Sequence, residues 1–565
     1  MALNELYTPR SETLSGTPWQ TYPRPQLRRD SYVNLNGEWE FTASQTFPTV
    51  YDRKILVPFC PESQLSGIKQ HFPEGIGLYY RRTFQLPEGF CKDRILLHIG
   101  AADQHAKVYV NQKEIGSHSG GYWAFTFDIT DALQKENELV ICCTDDLRSK
   151  VQPFGKQTMN RGGMWYTPVS GIWQTVWLES VPENYIHSLD IRTSATGATI
   201  TVYPVMDGTV IFEGKHYPLS RGSAVITLDE PRLWSPEDPY LYQFTVEAGS
   251  DRVESYFALR TLETKVVGGS PRLCLNGKPY FFHGLLDQGY WPDGIYTPAA
   301  PECYSDDILA MKRLGFNTLR KHIKIEPEQF YYDCDRLGMI VFQDMVNNGD
   351  YSFLRDTILP TVLSEKRQDK NLHKDAATRA AFLSGMEKTV AQLKNHPCIV
   401  YWTIFNEGWG QFCSTDAYRR LKDLDSSRFI DATSGWFRCG ESDVESLHIY
   451  FGLWYKLRYG DKPVMLSEFG GYVYPEPDHI FNPEKAFGYR VCKTKNEFQK
   501  ALTDLYRSRV LPAVSKGLCG AIYTQVSDVE DEINGLLTYD RKVCKAEEAA
   551  LLELSRELQK AVSEI

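Results

Sequence analysis

The chain has 565 residues, of which 42% are hydrophobic, and a formal net charge of −10. At about 150 residues per domain this length predicts three or four domains. The negative charge argues against nucleic acid or an anionic membrane surface as the main partner, and no apolar run approaches the roughly 20 residues of a membrane span. The N-terminus, MALNELYTPRSETLSG, shows no signal-peptide pattern, and thirteen scattered cysteines without CxxC pairs favour a reducing cytoplasm.

The first part of the chain reads as two β-sandwiches. Up to residue 183, short runs of alternating apolar and polar residues are separated by Gly, Pro, Asn and Asp; examples are 94–99, 106–110, 138–143 and 175–180. Residues 184–262 continue in shorter, more polar strands over the length of one immunoglobulin-sized unit. We therefore expect domains at 1–183 and 184–262.

From residue 263 to 565 the pattern alternates between apolar strands and helical stretches. Phe382, Met386, Val390 and Leu393, for example, share one face at helical spacing. Eight strands are predicted, at 280–287, 317–325, 339–345, 399–407, 428–436, 446–452, 463–471 and 518–528. Eight strands alternating with helices over about 300 residues predict a (β/α)₈ barrel.

Two glutamates end predicted barrel strands. Glu407 closes NHPCIVYWTIFNE and Glu468 closes KPVMLSE, on strands four and seven. Barrel active sites form at these carboxyl ends, and a retaining glycosidase needs two carboxyl groups about 5–5.5 Å apart. We therefore expect Glu407 to act as general acid/base and Glu468 as nucleophile. The alternative is that both are ordinary strand-end residues.

The segments KNHPCIVYWTIFNE and LSEFGG resemble the acid/base and nucleophile motifs of glycoside hydrolase family 2, the β-galactosidase, β-glucuronidase and β-mannosidase group. Thr403 departs from the family pattern, which has Gly or Ser there. The resemblance extends along almost the whole chain. It implies a jelly-roll, sugar-binding-like sandwich, an immunoglobulin-like sandwich and a catalytic TIM barrel, and a double displacement through a glycosyl ester on Glu468.

The resemblance also suggests residues that bind the substrate. It implies that Asn406 bonds the sugar 2-hydroxyl, and that Tyr450 contacts the nucleophile, whose ionised form a phenol donor would favour. Arg320 matches an Asn-x-x-Arg strand of the family, but His322 follows it by two residues where relatives have three. Further candidates are assigned to the rim, where each is as easily a packing residue: Trp165, Asp287 and Trp436.

Two departures from the family bear on metal and sugar specificity. Val346 and Asn348 replace the Glu-x-His pair that holds magnesium in the galactosidase branch, so we expect no essential metal and no cofactor. Glu532-x-Asn534 stands where glucuronidases have Asn-x-Lys, which removes the counter-charge of a uronate. The segment NGLLTYDR, containing Asn534, resembles the galactosidase version. A neutral sugar, with β-galactoside first, is therefore favoured.

Several alternatives stay open. The same family contains β-glucuronidases, β-mannosidases and α-L-arabinopyranosidases, and a carbohydrate-binding protein without catalysis would share the fold. The length of segment 346–371 suggests a restricted aglycone side and exo action, although endo action is a further alternative. The expected partner is a carbohydrate substrate, and a homo-oligomer is left open.

Overall fold

The computed structural model describes residues 3–360, 368–450, 452 and 454–565. The predicted fold class is confirmed: two β-sandwiches precede a parallel eight-stranded barrel. The boundaries 1–183, 184–262 and 263–565 stay predictions. The segment 346–371 includes residues 361–367, which lie outside the described part of the chain. No helix in the described ranges combines the length and the apolar character that crossing a membrane requires.

The first sandwich packs a four-stranded sheet, in the order β1-β12-β5-β9, against a six-stranded sheet, in the order β3-β2-β4-β10-β7-β8. Its strands are β1 (Val33–Asn34), β2 (Gly37–Ser44), β3 (Arg53–Val57), β4 (Gly77–Phe84), β5 (Arg94–Ile99), β6 (Ala102–Asp103), β7 (His105–Val110), β8 (Lys113–Ser119), β9 (Phe125–Asp128), β10 (Asn137–Thr144), β11 (Gly171–Ile172) and β12 (Val176–Val181). In β2, Trp39 and Phe41 are buried between the sheets while Glu38 is exposed, which is the alternation that a half-buried strand requires.

The second sandwich is smaller. Its strands are β13 (Ser188–Thr193), β14 (Gly197–Tyr203), β15 (Gly208–Phe212), β16 (Lys215–Pro218), β17 (Ser223–Thr227), β18 (Tyr242–Ala248) and β19 (Asp251–Phe257). They form sheets of three and four strands around their own apolar core. A three-stranded antiparallel sheet then leads into the barrel; its strands are β20 (Leu262–Val267), β21 (Ser270–Leu275) and β22 (Lys278–Pro279).

All eight predicted barrel strands are present. They are β23 (Phe282–Asp287), β24 (Thr318–Lys321), β25 (Ile340–Asp344), β26 (Ile399–Asn406), β27 (Phe429–Ser434), β28 (Glu445–Ile449), β29 (Val464–Gly470) and β32 (Leu518–Thr524), with the short ribbon of β30 (Tyr472–Val473) and β31 (Arg490–Val491) between the last two. Every paired neighbour is parallel, and among the described residues no backbone ladder joins β27 to β28. The seven crossovers carry all eight carboxyl ends to one mouth.

Helices cover the outside of the barrel. They are α1 (Glu302–Arg313), α2 (Glu328–Leu337), α3 (Ala376–Leu393), α4 (Ser414–Leu424), α5 (Lys495–Leu505), α6 (Leu511–Val514) and α7 (Glu548–Ser563). Short helical segments also occur along the chain, two of them before the barrel, at Ser11–Thr13, Thr130–Ala132, Phe353–Ile358, Trp454–Lys456 and Tyr506–Val510. The α3 helix begins where the Asp375 carboxylate accepts from Thr378 N at 2.7 Å, an N-cap that contributes about 1 kcal/mol. The apolar face predicted from the spacing of Phe382 and Met386 is buried.

A loop of the first sandwich reaches the mouth of the barrel. The backbone N–H groups of Phe154 and Gly155 both donate to the Asn347 carbonyl, at 3.1 and 3.2 Å. Gln157 is buried and donates to Asp103 at 3.0 Å, which fixes the other end of the loop within the sandwich. Residue 156 is therefore held at the carboxyl ends of the barrel strands.

Candidate active site

The two predicted catalytic glutamates face each other across the barrel mouth. Glu407 directly follows β26 with a left-handed backbone, φ +54°, and Gly408 after it also has a positive φ, so the chain turns sharply there. Glu468 lies near the end of β29 and is buried. A carboxylate oxygen of each residue lies within 4.8 Å of the other. This matches the close spacing of a retaining pair, about 5–5.5 Å between carboxyl groups, rather than the wider spacing of an inverting pair.

Arg320 on β24 holds two of the predicted residues, Glu468 and Asn406, in place. Its guanidinium donates to Glu468 Oε1 at 3.0 Å and to Asn406 Oδ1 at 2.8 Å. It also donates from Nε to both oxygens of Asp344, at 3.0 and 3.1 Å. Because Arg320 and Asp344 are both almost completely buried, removing either partner would leave a buried charge unpaired.

The surroundings push the pKa values of the two carboxyls apart. Burial is the largest influence on each and raises the pKa. For Glu407 the charge of Glu468 adds to burial, together they outweigh a hydrogen bond from His448, and the pKa lies above its usual range. For Glu468 the effects of His448, Arg320 and His322 outweigh burial and lower the pKa to about 2. A protonated Glu407 opposite an ionised Glu468 is the state that an acid and a nucleophile need.

Tyr450 contacts Glu468, the predicted nucleophile. Its hydroxyl donates to Glu468 Oε2 at 2.5 Å and lies 3.1 Å from Thr524 Oγ1. The ring of Tyr489 stacks on that of Tyr450 with centroids 3.9 Å apart. Tyr489 lies in the loop after β30, and no pattern in the sequence pointed to it.

His448 is a site residue that the sequence prediction missed. Its Nδ1 lies 2.7 Å from Glu407 Oε1 and 3.5 Å from Glu468 Oε2. Its Nε2 lies 3.3 Å from Arg320 Nη1 and 3.1 Å from Ser434 Oγ. The available signal was the period of two along a strand, because His448 precedes Tyr450 by two residues and so shares its face.

Gly435 makes room for this contact. A Cβ at this position would lie 3.1 Å from His448 Nδ1 and 3.2 Å from Glu407 Cγ, and the backbone φ is +105°. Any other residue would be strained and would press on both groups.

His322 lies one layer behind the glutamates. Its Nδ1 is 2.6 Å from Asp344 Oδ2, and among described residues no hydrogen bond joins its ring to Glu407 or Glu468. Burial lowers the pKa of His322 to about 4. The residue therefore supports Asp344, and through it Arg320. Asp344 is the link between them.

The three predicted rim residues lie in different surroundings. Trp436 packs edge-on against His448, with ring centroids 5.7 Å apart, and lies at the site. Trp165 packs edge-on against Trp409, centroids 5.0 Å apart, and lines a cavity of about 340 Å³ that Tyr351 also lines. Asp287 pairs instead with buried Lys321 at 2.6 Å, and among the described residues no hydrogen bond or ion pair joins it to Glu407 or Glu468.

Asn534 belongs to a buried polar group at the rim. Its Nδ2 donates to Glu532 at 2.9 Å, and its Oδ1 accepts from Gln525 at 2.8 Å. The Tyr166 hydroxyl donates to the other oxygen of Glu532. Glu532 is therefore buried and hydrogen-bonded to the first sandwich, not part of a solvated loop.

Lys156 is a further residue that the sequence prediction missed. Its Nζ lies 5.8 Å from the centre of the Tyr166 ring, and the described residues place no carboxylate in ion-pair contact with it. Its positive charge lowers the pKa of Glu407, Glu468 and His322. Burial is the larger influence on each group; it raises the pKa of the two carboxyls and lowers that of His322. Because this lysine comes from the first sandwich, nothing in the barrel sequence pointed to it.

Glu407, His448 and Glu468 are also the one group of three in the described ranges whose donor atoms lie close enough to share a metal ion. The group does not suit one. Arg320 already occupies Glu468, and the His448 nitrogen that faces Glu407 is committed to a hydrogen bond with it. A divalent cation would add to the positive charge of Arg320 and Lys156.

Three family models match the chain. "Glycosyl hydrolases family 2, TIM barrel domain" covers residues 269–549, the family's "galactose binding domain-like" model covers 76–163, and its third model covers 184–260. Together they span most of the sequence. The chain belongs to glycosyl hydrolase family 2. The predicted family resemblance is thereby confirmed.

Individual relatives of this family 2 chain are distant. A β-galactosidase of Thermoanaerobacter pseudethanolicus is 24% identical over 70% of this chain and 54% of its own length. A β-glucuronidase of Bacteroides fragilis is 24% identical over 67% and 56%. The chain thus spans about half the length of these two curated relatives. The solved structure of an uncultured Clostridium sp. β-glucuronidase superposes with a TM-score of 0.73 at 18% identity, covering 95% of this chain and 99% of that one, which shows a shared fold.

Proposed function

We propose that this chain is a retaining exo-β-glycosidase, with Glu468 as nucleophile and Glu407 as general acid/base. The observation that carries the proposal is the pair itself: two carboxylates within 4.8 Å whose surroundings raise the pKa of one and lower that of the other. Family membership and the names of the relatives support the same reaction. A non-catalytic binding protein would have no need for two carboxyls displaced in opposite directions.

The proposed reaction proceeds in two displacements. Ionised Glu468, held by Arg320 and Tyr450, attacks the anomeric carbon while Glu407 gives its proton to the leaving oxygen. The sugar is then esterified to Glu468, and Glu407, now a carboxylate, takes a proton from the water that cleaves the ester. Asn406, oriented by Arg320, is placed to bond the 2-hydroxyl of the sugar.

For the sugar we propose a neutral β-hexopyranoside, with galactose first. Glu532 is bonded by Tyr166 and Asn534, and among described residues no lysine or arginine pairs with it, so this corner of the site provides no cation for a sugar carboxylate. A uronate there would meet a carboxylate without a counter-charge. The β-galactosidase relative supports this assignment.

A β-uronide is the second candidate, favoured by a specific observation. Lys156 presents an ammonium whose charge acts on both Glu407 and Glu468 and which has no ion-pair partner in the described ranges. A carboxylate at C6 of the sugar would supply one. The β-glucuronidase relative supports this alternative.

A panel of nitrophenyl β-glycosides separates the two candidates. If the neutral sugar is correct, kcat/KM for the β-galactoside should exceed that for the β-glucuronide at least about a hundredfold. Comparable or higher turnover of a uronide would overturn the neutral-sugar assignment. Lys156→Gln should then lower uronide turnover selectively, whereas Lys388→Gln, at a lysine that also lies over an aromatic ring but on another face, should not. No turnover of any glycoside would overturn the proposed function itself.

A further inference from the structure

The contacts of His448 determine where its proton lies. Arginine is only a donor, so Arg320 Nη1 at 3.3 Å can bond His448 Nε2 only through a lone pair on that nitrogen. A neutral ring must then carry its hydrogen on Nδ1, which lies 2.7 Å from Glu407 Oε1. His448 is therefore a donor to Glu407.

We propose that His448 is a positioning residue that selects which oxygen of Glu407 carries the catalytic proton and sets the pH range over which Glu407 acts as an acid. With Oε1 accepting from Nδ1–H, the proton is left to Oε2, the oxygen without this bond. The inference rests on the proposed role of Glu407 as general acid/base. It concerns a residue two positions before Tyr450 that does not itself exchange a proton with substrate.

The direction of the effect on Glu407 follows from the chemistry of the bond. An N–H donor stabilises a carboxylate more than the protonated acid and so lowers the pKa of Glu407, against burial and the charge of Glu468, which raise it. Other charged and phenolic groups also face Glu407 and are common to all variants below; they are Lys156, Glu468, Tyr351, Tyr450 and Tyr489. Removing only the His448 donor should therefore raise the pKa of Glu407.

Two amide substitutions isolate this donor. The amide nitrogen of asparagine, like Nδ1, is bonded to Cγ, so His448→Asn can present an N–H at the position of Nδ1. In His448→Gln the amide extends one bond further, towards the position of Nε2, and the donor to Glu407 is lost. His448→Ala removes both. His479→Asn and His479→Gln are matched controls, because His479 Nδ1 also lies 2.7 Å from a carboxylate, that of Asp540.

The readout is the alkaline limb of kcat/KM on a glycoside with a poor leaving group, because this limb reports the loss of the proton from the general acid in the free enzyme. For His448→Gln and His448→Ala the limb should move up by about one pH unit, the size of a hydrogen bond to a charged group. For His448→Asn and the His479 variants it should stay with that of the wild type. On a dinitrophenyl glycoside, which needs no proton donor, the difference between the variants should disappear.

If the alkaline limb of kcat/KM lay at the same pH in His448→Asn and His448→Gln, or shifted in neither, the proposal would be overturned while the glycosidase assignment stayed intact. If the variants do not fold, ¹⁵N-histidine NMR of the wild type decides. The ring signals that change in Glu407→Gln should show a protonated Nδ1 and an unprotonated Nε2. The reverse pattern would overturn the proposal. This measurement needs no turnover, so it also separates the inference from a failure of the proposed function.

Discussion

Two buried histidine–carboxylate pairs lie at opposite ends of the barrel, and their contacts differ. At the base, His396 Nδ1 lies 2.7 Å from Asp335, whose oxygens also accept from Tyr256 and from Cys398 N. At the mouth, His448 Nδ1 lies 2.7 Å from Glu407, and the described residues provide that carboxylate with no other hydrogen bond.

The same kind of histidine–carboxylate pair therefore has a different role at each end of the barrel. Asp335 is completely buried and bonded on both oxygens, so it joins the second sandwich to the barrel and has nothing left to offer a ligand. The Glu407 side chain keeps 13% of its surface exposed, with one oxygen available. The difference suggests that reactivity depends on which lone pairs the fold leaves open, more than on the presence of a charged pair. Four substitutions or treatments examine this contrast.

Arg320→Gln should have the largest effect, at the mouth. It removes the cation that holds Asn406, Glu468 and Asp344, and kcat/KM should fall about a thousandfold. Because Arg320 also lowers the pKa of Glu468, the acid limb of the remaining activity should move to higher pH in the variant. Arg336→Gln, which breaks an ion pair on the outer face of α2, is the matched control and should keep both rate and pH profile.

Asp335→Asn, at the base of the barrel, should lower stability and leave activity nearly unchanged. Two donors and a histidine would lose a charged acceptor, and the free energy of unfolding should fall by about 3 kcal/mol. The kcat of the folded enzyme should stay within a factor of two. Thermal unfolding and steady-state rates on the same preparation check this. A large loss of kcat without a loss of stability would show that the two ends are not separate.

Tyr450→Phe should have an intermediate effect. The hydroxyl donates to Glu468 Oε2, and without it the pKa of Glu468 should rise from its present value of about 2. Since kcat/KM needs the ionised nucleophile, the acid limb should move to higher pH, and the rate should fall by about tenfold to a hundredfold. A pH profile with an unchanged acid limb would count against this role for the phenol.

Chelation should have the smallest effect. The donor set at the mouth is occupied by Arg320 and His448, and Val346 and Asn348 supply no charged ligand. Exhaustive treatment with a chelator should leave the rate within about a factor of two. A larger loss that magnesium restores would reveal a metal site that this account lacks.

The sequence was sufficient for features that are local along the chain. The barrel strands were found because buried parallel strands are apolar runs, and Glu407 and Glu468 because they end two of them. Asn406 and Tyr450 followed from the family resemblance. The site also contains contributions from distant segments: Lys156 from the first sandwich, Tyr489 from the loop after β30, and Asp344 bridging β24 and β25. The position of Lys156 depends on how the first sandwich packs on the barrel, and those of Tyr489 and Asp344 on how separate segments of the barrel meet, none of which periodicity encodes.

Asp287 is a residue whose role the sequence could not predict. Its position at the end of β23 suggested a rim residue, but the ammonium of Lys321 on the next strand lies 2.6 Å away. A strand-end carboxylate is equally suited to binding a sugar or neutralising a buried lysine. Its neighbour in space decides between them, and that neighbour was unknown from the sequence.

The most direct test of the central claim is covalent trapping of the nucleophile. A 2-deoxy-2-fluoro β-glycoside of the preferred sugar, with a good leaving group, should inactivate the enzyme because fluorine slows both formation and hydrolysis of the ester, whereas the good leaving group speeds its formation only. Peptide mass spectrometry should then find one sugar per chain, on Glu468, and none in Glu468→Gln. An adduct on another carboxylate, or hydrolysis with inversion and no adduct, would contradict the account.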